Sequence, residues 1–143
     1  MNIFTIGFEK RKIEEFIASL KDNGIDVMVD IRAVPHSRNR AYAKKNLEVT
    51  LSESGIEYIL KSELGGPSEL RKKVRADGDY EYFFRHYEKL LDERTDCLKE
   101  LSDLTERKTI CLLCYEADPA QCHRSSVANR LKSLNNDFSI IHL

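Results

Sequence analysis

The most reactive side chains of this sequence lie in one block near its carboxyl end, Cys114-Tyr-Glu-Ala-Asp-Pro-Ala-Gln-Cys-His-Arg124. The block leads from an apolar strand pattern, through an Asp-Pro turn, into a helix pattern. The first turn of that helix is predicted to carry Cys122, His123, Arg124 and Ser125. Free backbone N–H groups and the positive end of the helix dipole bind anions at such a turn, and a guanidinium adds a forked donor. The same setting favours an ionised cysteine, so Cys122 is the predicted thiolate.

The same block also allows purely structural interpretations. Cys122 could simply pack in the core, with Arg124 paired to Glu116 or Asp118. Cys114 ends an apolar run and could be a core residue, or it could form a redox pair with Cys122. A zinc site is not expected, because the gap between the two cysteines exceeds the usual ligand spacing and no second pair is present. No metal and no other cofactor is therefore predicted.

A second candidate block begins at Asp30, directly after an apolar run. Between Asp30 and Glu48 the sequence has five cationic residues and no acidic one. Ser37 lies among these cations, next to Arg38. This mixture of cations with polar and aromatic residues is typical of contacts to a phosphate backbone. For Arg32 we expect either a ligand contact or a buried ion pair with Asp30.

Three further segments carry candidate residues. Glu9 follows the first strand pattern and could act as a general base or simply favour a helix start. Gly65 and Gly66 would let the backbone approach a ligand closely, or would form an ordinary turn. The basic run 71–75 is predicted to be a mobile loop, which could cover a phosphate site as a lid or remain an exposed face.

Strand and helix patterns alternate along the chain, and this alternation predicts where the candidate residues lie in the fold. Strand patterns cover 2–8, 25–31, 56–60, 109–115 and 138–143, and helix patterns cover 12–23, 45–54, 80–91, 95–104 and 122–134. This alternation predicts a single α/β domain over 1–143, with a mostly parallel sheet of about five strands and helices on both faces. Ligands bind such sheets outside the carboxyl ends of the strands. The candidate residues above fall at those ends, except the 71–75 run.

Composition narrows the class of protein. The chain has 143 residues, of which 41% are hydrophobic and 33% charged, with a formal net charge of -1. No apolar stretch approaches the ~18 residues of a membrane span, and the start of the chain does not resemble a signal peptide. We therefore expect a cytoplasmic protein whose four cysteines are thiols, without a membrane partner. The balanced charge excludes coating of nucleic acid through bulk charge, but it permits a focused anion site.

Several motifs read together resemble the domain-of-unknown-function 488 family. They are Thr5–Glu9, Val29–Arg32 with Pro35 and Ser37-Arg38, Gly55–Tyr58 with Leu64–Gly66, and Leu113–Glu116 with Asp118-Pro119 and Cys122–Arg124. Members often have His-Ser where this chain has Phe8-Glu9. The resemblance implies a compact α/β domain and supplies no reaction.

The predicted function is that of an enzyme acting on a phosphate-bearing substrate, either a nucleotide or a nucleic acid. Its anion-binding set consists of Arg32, Ser37, Arg38, Gly65, Gly66, Cys114, His123, Arg124 and Ser125. Cys122 would supply the nucleophile, or Glu116 or Glu9 would move protons. A cysteine phosphatase is not supported, because the compact Cys-x5-Arg loop is absent.

Two other classes of function stay open on the same residues. One is a non-catalytic module that binds nucleic acid through its arginines, with an affinity that falls steeply with salt. The other is a thiol-based redox sensor in which Cys114 and Cys122 form a link. Aromatic residues between Tyr80 and Tyr87 leave a homodimer possible.

Overall fold

A computed structural model describes all residues of the chain, 1–143, as a five-stranded parallel sheet covered by helices on both faces. The strands are β1 (Asn2–Gly7), β2 (Val27–Asp30), β3 (Glu57–Leu60), β4 (Ile110–Cys114) and β5 (Ser139–His142). The helices are α1 (Ile13–Asp22), α2 (Lys44–Glu53), α3 (Ser68–Asp77), α4 (Tyr80–Asp92), α5 (Thr95–Thr105) and α6 (Arg124–Leu134). The predicted α/β class and parallel sheet are confirmed.

The strand order is β3-β2-β4-β1-β5, with every neighbouring pair parallel. All five residues of β4 are buried, as expected for a central strand with helices on both sides. In the register, β4 pairs its Cys114 with Gly7 and its Leu113 with both Ile6 and Asp30. The carboxyl ends of β1, β2 and β4 therefore finish level with one another at one edge of the sheet.

Two separate cores lie on the two faces of the sheet. Alternate residues of β4 belong to different cores, with Cys111 and Leu113 on one face and Leu112 and Cys114 on the other. The first core is closed by α1 and α2, and the second by α4, α5 and α6. Connections from β1 and β2 thus leave toward one face, whereas the connection from β4 leaves toward the other. Such a reversal opens a crevice at the strand ends, which is where ligands bind in this class of sheet.

The segment 71–75 is helical, so the prediction of a mobile loop there is wrong. It forms the middle of α3, in which the half-buried Leu70 and Val74 are four residues apart and pack on the second core. The helix ends at Gly78, whose φ of 68° is the left-handed conformation that closes many helices. The local pattern that indicates this helix is therefore a run of helix-forming residues followed by glycine. The clustered charges favoured an exposed loop instead.

The start of α6 also differs from the sequence prediction. The helix begins at Arg124 rather than Cys122, because a short 3-10 turn at Pro119–Gln121 comes first. The Asp118 carboxylate caps that turn by accepting a hydrogen bond from the Ala120 amide, 2.9 Å away. Cys122 and His123 therefore precede the helix. No helix in the structure combines the length and apolarity needed to cross a membrane.

Candidate functional site

A cavity of about 730 Å³ opens at the carboxyl edge of the sheet, within the size range of small-molecule sites. Its walls come from the loops after β1, β2 and β4 and from α3 and α4. The cavity cations, as we call them, are Lys10, Arg32, Arg38, Arg71 and Arg75. Only two carboxyl groups, those of Glu9 and Glu116, share the lining with them. The lining is therefore strongly biased toward positive charge.

Aromatic rings form the apolar part of the same cavity. Phe8 and Tyr115 approach from the loops after β1 and β4, and Tyr80 and Phe83 approach from α4. Phe8 and Tyr115 pack edge to face with their ring centres 5.3 Å apart. Tyr115 is half exposed, so its ring remains accessible to a ligand. The cavity thus combines cations with accessible aromatic surface.

Arg32 is held in place by a buried ion pair with Asp30. Its Nε and Nη2 donate to the two carboxylate oxygens of Asp30 at 2.9 and 2.7 Å, and its Nη1 donates to the Tyr42 carbonyl at 2.8 Å. The Tyr58 hydroxyl also donates to Asp30, at 2.6 Å. This bidentate pair is the structural alternative that the sequence left open for Arg32, although Arg32 also lines the cavity.

The other cavity cations have no carboxylate partner. Lys10, Arg38 and Arg75 form no salt bridge, and the Nε of Arg71 donates to the Gly66 carbonyl at 2.9 Å. Arg38 and Arg75 are exposed side chains from different elements of the cavity lining, Arg38 in the loop after β2 and Arg75 on α3. Their charges are therefore free to pair with an anion in the cavity.

The two acidic residues meet where the loops after β1 and β4 run side by side. The amide of Glu9 donates to the Tyr115 carbonyl at 2.8 Å, and the Ala117 amide donates to the Glu9 carboxylate at 3.1 Å. Burial raises the pKa of the Glu116 carboxyl, and the nearby Glu9 charge raises it further, against the opposing effect of Arg124. The cavity thus presents two neighbouring carboxyl groups.

Arg124 is fully buried and does not line the cavity. Its guanidinium donates to the Thr5 hydroxyl at 3.1 Å, to the Ala117 carbonyl at 3.0 Å, and to the Glu116 carbonyl. Gly7 makes room for this arrangement, because a Cβ on Gly7 would overlap the Glu116 carbonyl. Arg124 therefore ties the loop after β4 to β1, and contact of this residue with an anion stays a prediction.

Cys114 and Cys122 are joined as a disulfide, so the expectation of four free thiols is wrong for this pair; Cys97 and Cys111 are free. Both bonded cysteines are 1% exposed and neither lines the cavity. In this state Cys122 offers no thiolate, and its predicted role as nucleophile is untested.

His123 links the disulfide to the cavity. Its Nε2 donates to the Ile31 carbonyl at 2.8 Å, so its Nδ1 is the unprotonated nitrogen and lies 3.9 Å from the Cys122 sulfur. Burial lowers the pKa of His123 to about 4, which leaves the ring neutral near pH 7. Ser125, next along the chain, directs its hydroxyl to the Cys122 carbonyl at 2.9 Å.

Gly65 and Gly66 lie behind the cavity wall rather than on its surface. A Cβ on Gly65 would lie 2.2 Å from the Ala33 amide nitrogen, so only glycine lets these two loops touch. Gly66 has looser surroundings, since a Cβ there would lie 3.2 Å from the Phe83 ring. Gly65 therefore positions the wall that carries Arg32, whereas Gly66 lies against Phe83 and Arg71.

The predicted site residues therefore divide into two groups. Those that line the cavity are Glu9, Arg32, Ser37, Arg38, Glu116 and His123, whereas Gly65, Gly66, Cys114, Cys122, Arg124 and Ser125 lie behind it. Sequence reasoning missed Lys10 and offered Arg71 and Arg75 only as part of a mobile lid or an exposed face. The four-residue spacing of Arg71 and Arg75, which puts both on one face of a helix, was the signal for those two.

The fold and cavity define a parallel α/β protein with a cavity, lined mainly by cations among its charged side chains, at the carboxyl edge of its sheet. The family described as Domain of unknown function DUF488 matches residues 12–131, and the chain belongs to this family. No curated protein and no solved structure gives a significant match to the chain. The resemblance found in the sequence is thereby confirmed at the level of the family.

Proposed function

We propose that this protein is an enzyme that acts on a phosphate-bearing substrate of nucleotide size, bound in the cavity at the carboxyl edge. One observation carries the proposal. Five cations and only two carboxyl groups line the cavity, and Lys10, Arg38 and Arg75 among those cations have no carboxylate partner. Arginines bind phosphate oxygens through forked hydrogen bonds and are common wherever carboxylate or phosphate groups are recognised.

The aromatic surface favours a nucleotide over free phosphate. Base stacking on aromatic rings contributes roughly 1–3 kcal/mol per base and tolerates every base. Tyr115 offers an exposed ring beside the cations, and Tyr80 offers a half-buried one. A nucleoside phosphate would place its base against these rings and its phosphates on Arg38 and Arg75.

Two carboxyl groups supply the proposed chemistry. Glu9 and Glu116 both line the cavity, so either can contact a substrate held by the cations. A positioned carboxyl group that moves a proton typically accelerates a reaction by about 10²–10⁴-fold. We assign proton transfer to Glu116, with Glu9 beside it, and leave the cysteines out of the chemical step.

Binding is tested by calorimetry with inorganic phosphate, a nucleoside monophosphate, the unphosphorylated nucleoside and a short single-stranded oligonucleotide. The monophosphate should bind more tightly than either phosphate or nucleoside alone. Arg38→Ala and Arg75→Ala should each weaken binding about tenfold, or about 1.4 kcal/mol. Arg107→Ala is the matched control, because Arg107 is exposed and does not line the cavity. Equal effects of all three substitutions would contradict the assignment of the cavity.

Catalysis is tested separately with a panel of nucleoside phosphates and phosphodiesters. Glu116→Gln should lower kcat at least 100-fold while changing the affinity for substrate little, and Glu106→Gln, on an exposed position, should change neither. Tight binding of an oligonucleotide without turnover of any substrate would instead support the non-catalytic nucleic-acid module.

The disulfide favours a second candidate function, a thiol-based sensor. Cys114 and Cys122 are the only bonded cysteines in the chain. A peroxide would take two electrons and two protons from the reduced pair, giving the disulfide and water. Mass spectrometry after mild peroxide treatment of the reduced protein should find this link, with Cys97 and Cys111 unlinked. Random pairing among the four cysteines would exclude the sensor.

A further inference from the structure

Three metal-binding side chains cluster directly behind the cavity. The sulfur atoms of Cys114 and Cys122 and a ring nitrogen of His123 all lie within 4.8 Å of one another. All three residues are buried, with exposed fractions of 1%, 1% and 8%. The cluster forms because the end of β4 and the turn before α6 meet in space, which compensates for the long gap between the cysteines in the sequence.

The main chain holds the two cysteines farther apart than disulfide partners usually lie. Their Cα atoms are 7.2 Å apart, whereas bonded pairs usually span about 4.4–6.8 Å. Two sulfur ligands of one tetrahedral zinc ion, each about 2.3 Å from the metal, lie about 3.8 Å apart. Bonded sulfur atoms lie only about 2.0 Å apart, so two ligands of one ion can have more widely spaced Cα atoms, as Cys114 and Cys122 have here, once the disulfide is reduced.

The histidine is already oriented as a ligand. Metal-binding histidines usually donate their second ring N–H to a carbonyl or carboxylate, which fixes the tautomer. Here Nε2 of His123 donates to the Ile31 carbonyl, so the lone pair of Nδ1 faces Cys122. On the other side, Nη1 of Arg124 lies 3.4 Å from the Cys114 sulfur and can donate to a thiolate. The first contact favours the His123 ring with an unprotonated Nδ1, and the second favours the thiolate of Cys114. These are the forms that bind a metal ion.

We propose that the reduced protein binds one thiophilic divalent ion, zinc first, through Cys114, Cys122 and His123. Two thiolates and a neutral imidazole balance the charge of the ion. No fourth cysteine, histidine or acidic residue shares the cluster, so the fourth position is left to water or to a cavity ligand. This site goes beyond the proposed function, and its test requires no turnover.

The test uses the full-length protein treated with a phosphine reductant, exchanged into Zn²⁺ or Co²⁺ and freed of excess metal. We expect about one zinc per chain by elemental analysis and a thiolate-to-cobalt charge-transfer band with Co²⁺. Cys122→Ser and His123→Ala should each lose the bound metal. Cys97→Ser, the control, should keep it, because Cys97 lies outside the cluster.

A second measurement uses the protein without substitutions, so it applies even if the variants fail to fold. Bound zinc should protect Cys114 and Cys122 from alkylation relative to the metal-free reduced protein, as located by peptide mass spectrometry. Three results would each overturn the proposal: no metal on the reduced protein, protection at other cysteines only, or a disulfide that resists the reductant.

Discussion

Removal of the Arg32 side chain should destabilise the fold far more than removal of any other cavity cation. Arg32→Met deletes two short hydrogen bonds to Asp30, which is itself 0% exposed. Loss of one partner of a buried ion pair costs about 3–5 kcal/mol, because the remaining charge has neither water nor a counterion. Asp30 keeps the Tyr58 hydroxyl and the backbone amide of residue 32 as donors, so we expect the lower end of this range, about 3 kcal/mol.

The assay is urea unfolding at pH 7 followed by circular dichroism. A loss of about 3 kcal/mol is a large part of the 5–15 kcal/mol free energy of unfolding of a typical domain. The variant should therefore still fold, but its unfolding midpoint should lie at a much lower urea concentration. Arg38→Met is the matched control, because this exposed arginine has no ion pair and should change stability by less than about 0.5 kcal/mol.

A double variant isolates the buried charge as the cause. Asp30→Asn combined with Arg32→Met removes the uncompensated carboxylate, so its cost should fall below the sum of the two single costs by about 1–3 kcal/mol. Strict additivity, or an Arg32→Met variant within 1 kcal/mol of the natural protein, would refute this reasoning. The buried pair with Asp30 would then contribute little to stability.

Three other perturbations test the walls and caps. Gly65→Ala should destabilise by about 1–3 kcal/mol, because its methyl group would meet the Ala33 backbone, and Gly66→Ala by less, with both measured by urea unfolding. Burial raises the pKa of Tyr42 to about 12, so its hydroxyl should stay neutral in the folded state above pH 10. The contribution of Tyr42 to stability should therefore fall as the pH rises from about 10 to about 12. Phenolate absorbance, compared with that of Tyr42→Phe, measures this. Asp79→Ala should cost about 1 kcal/mol in thermal unfolding, because the carboxylate caps α4 through the Tyr82 amide.

The strands and most helices could be predicted because their signals are local. The residues of β4 are a continuous apolar run, and only a strand covered on both faces buries every side chain. Helix α3 was not predicted because it has only two apolar residues that pack on the core, Leu70 and Val74. Two such residues among many charged ones do not make a recognisable apolar stripe. Packing against the second core stabilises the helix, and that contact is not visible in the segment itself.

The fold class, and the strand ends at which polar residues collect, follow from local sequence patterns. Which arginines face the cavity depends on contacts between elements that are distant in the chain. Arg124 turns inward because Gly7, distant in the chain, leaves space beside the Glu116 carbonyl. Likewise Cys114, Cys122 and His123 meet only because the end of β4 and the turn before α6 come together in space, with His123 held by the Ile31 carbonyl. Local patterns specify elements, but close packing between elements specifies which side chains can share a site.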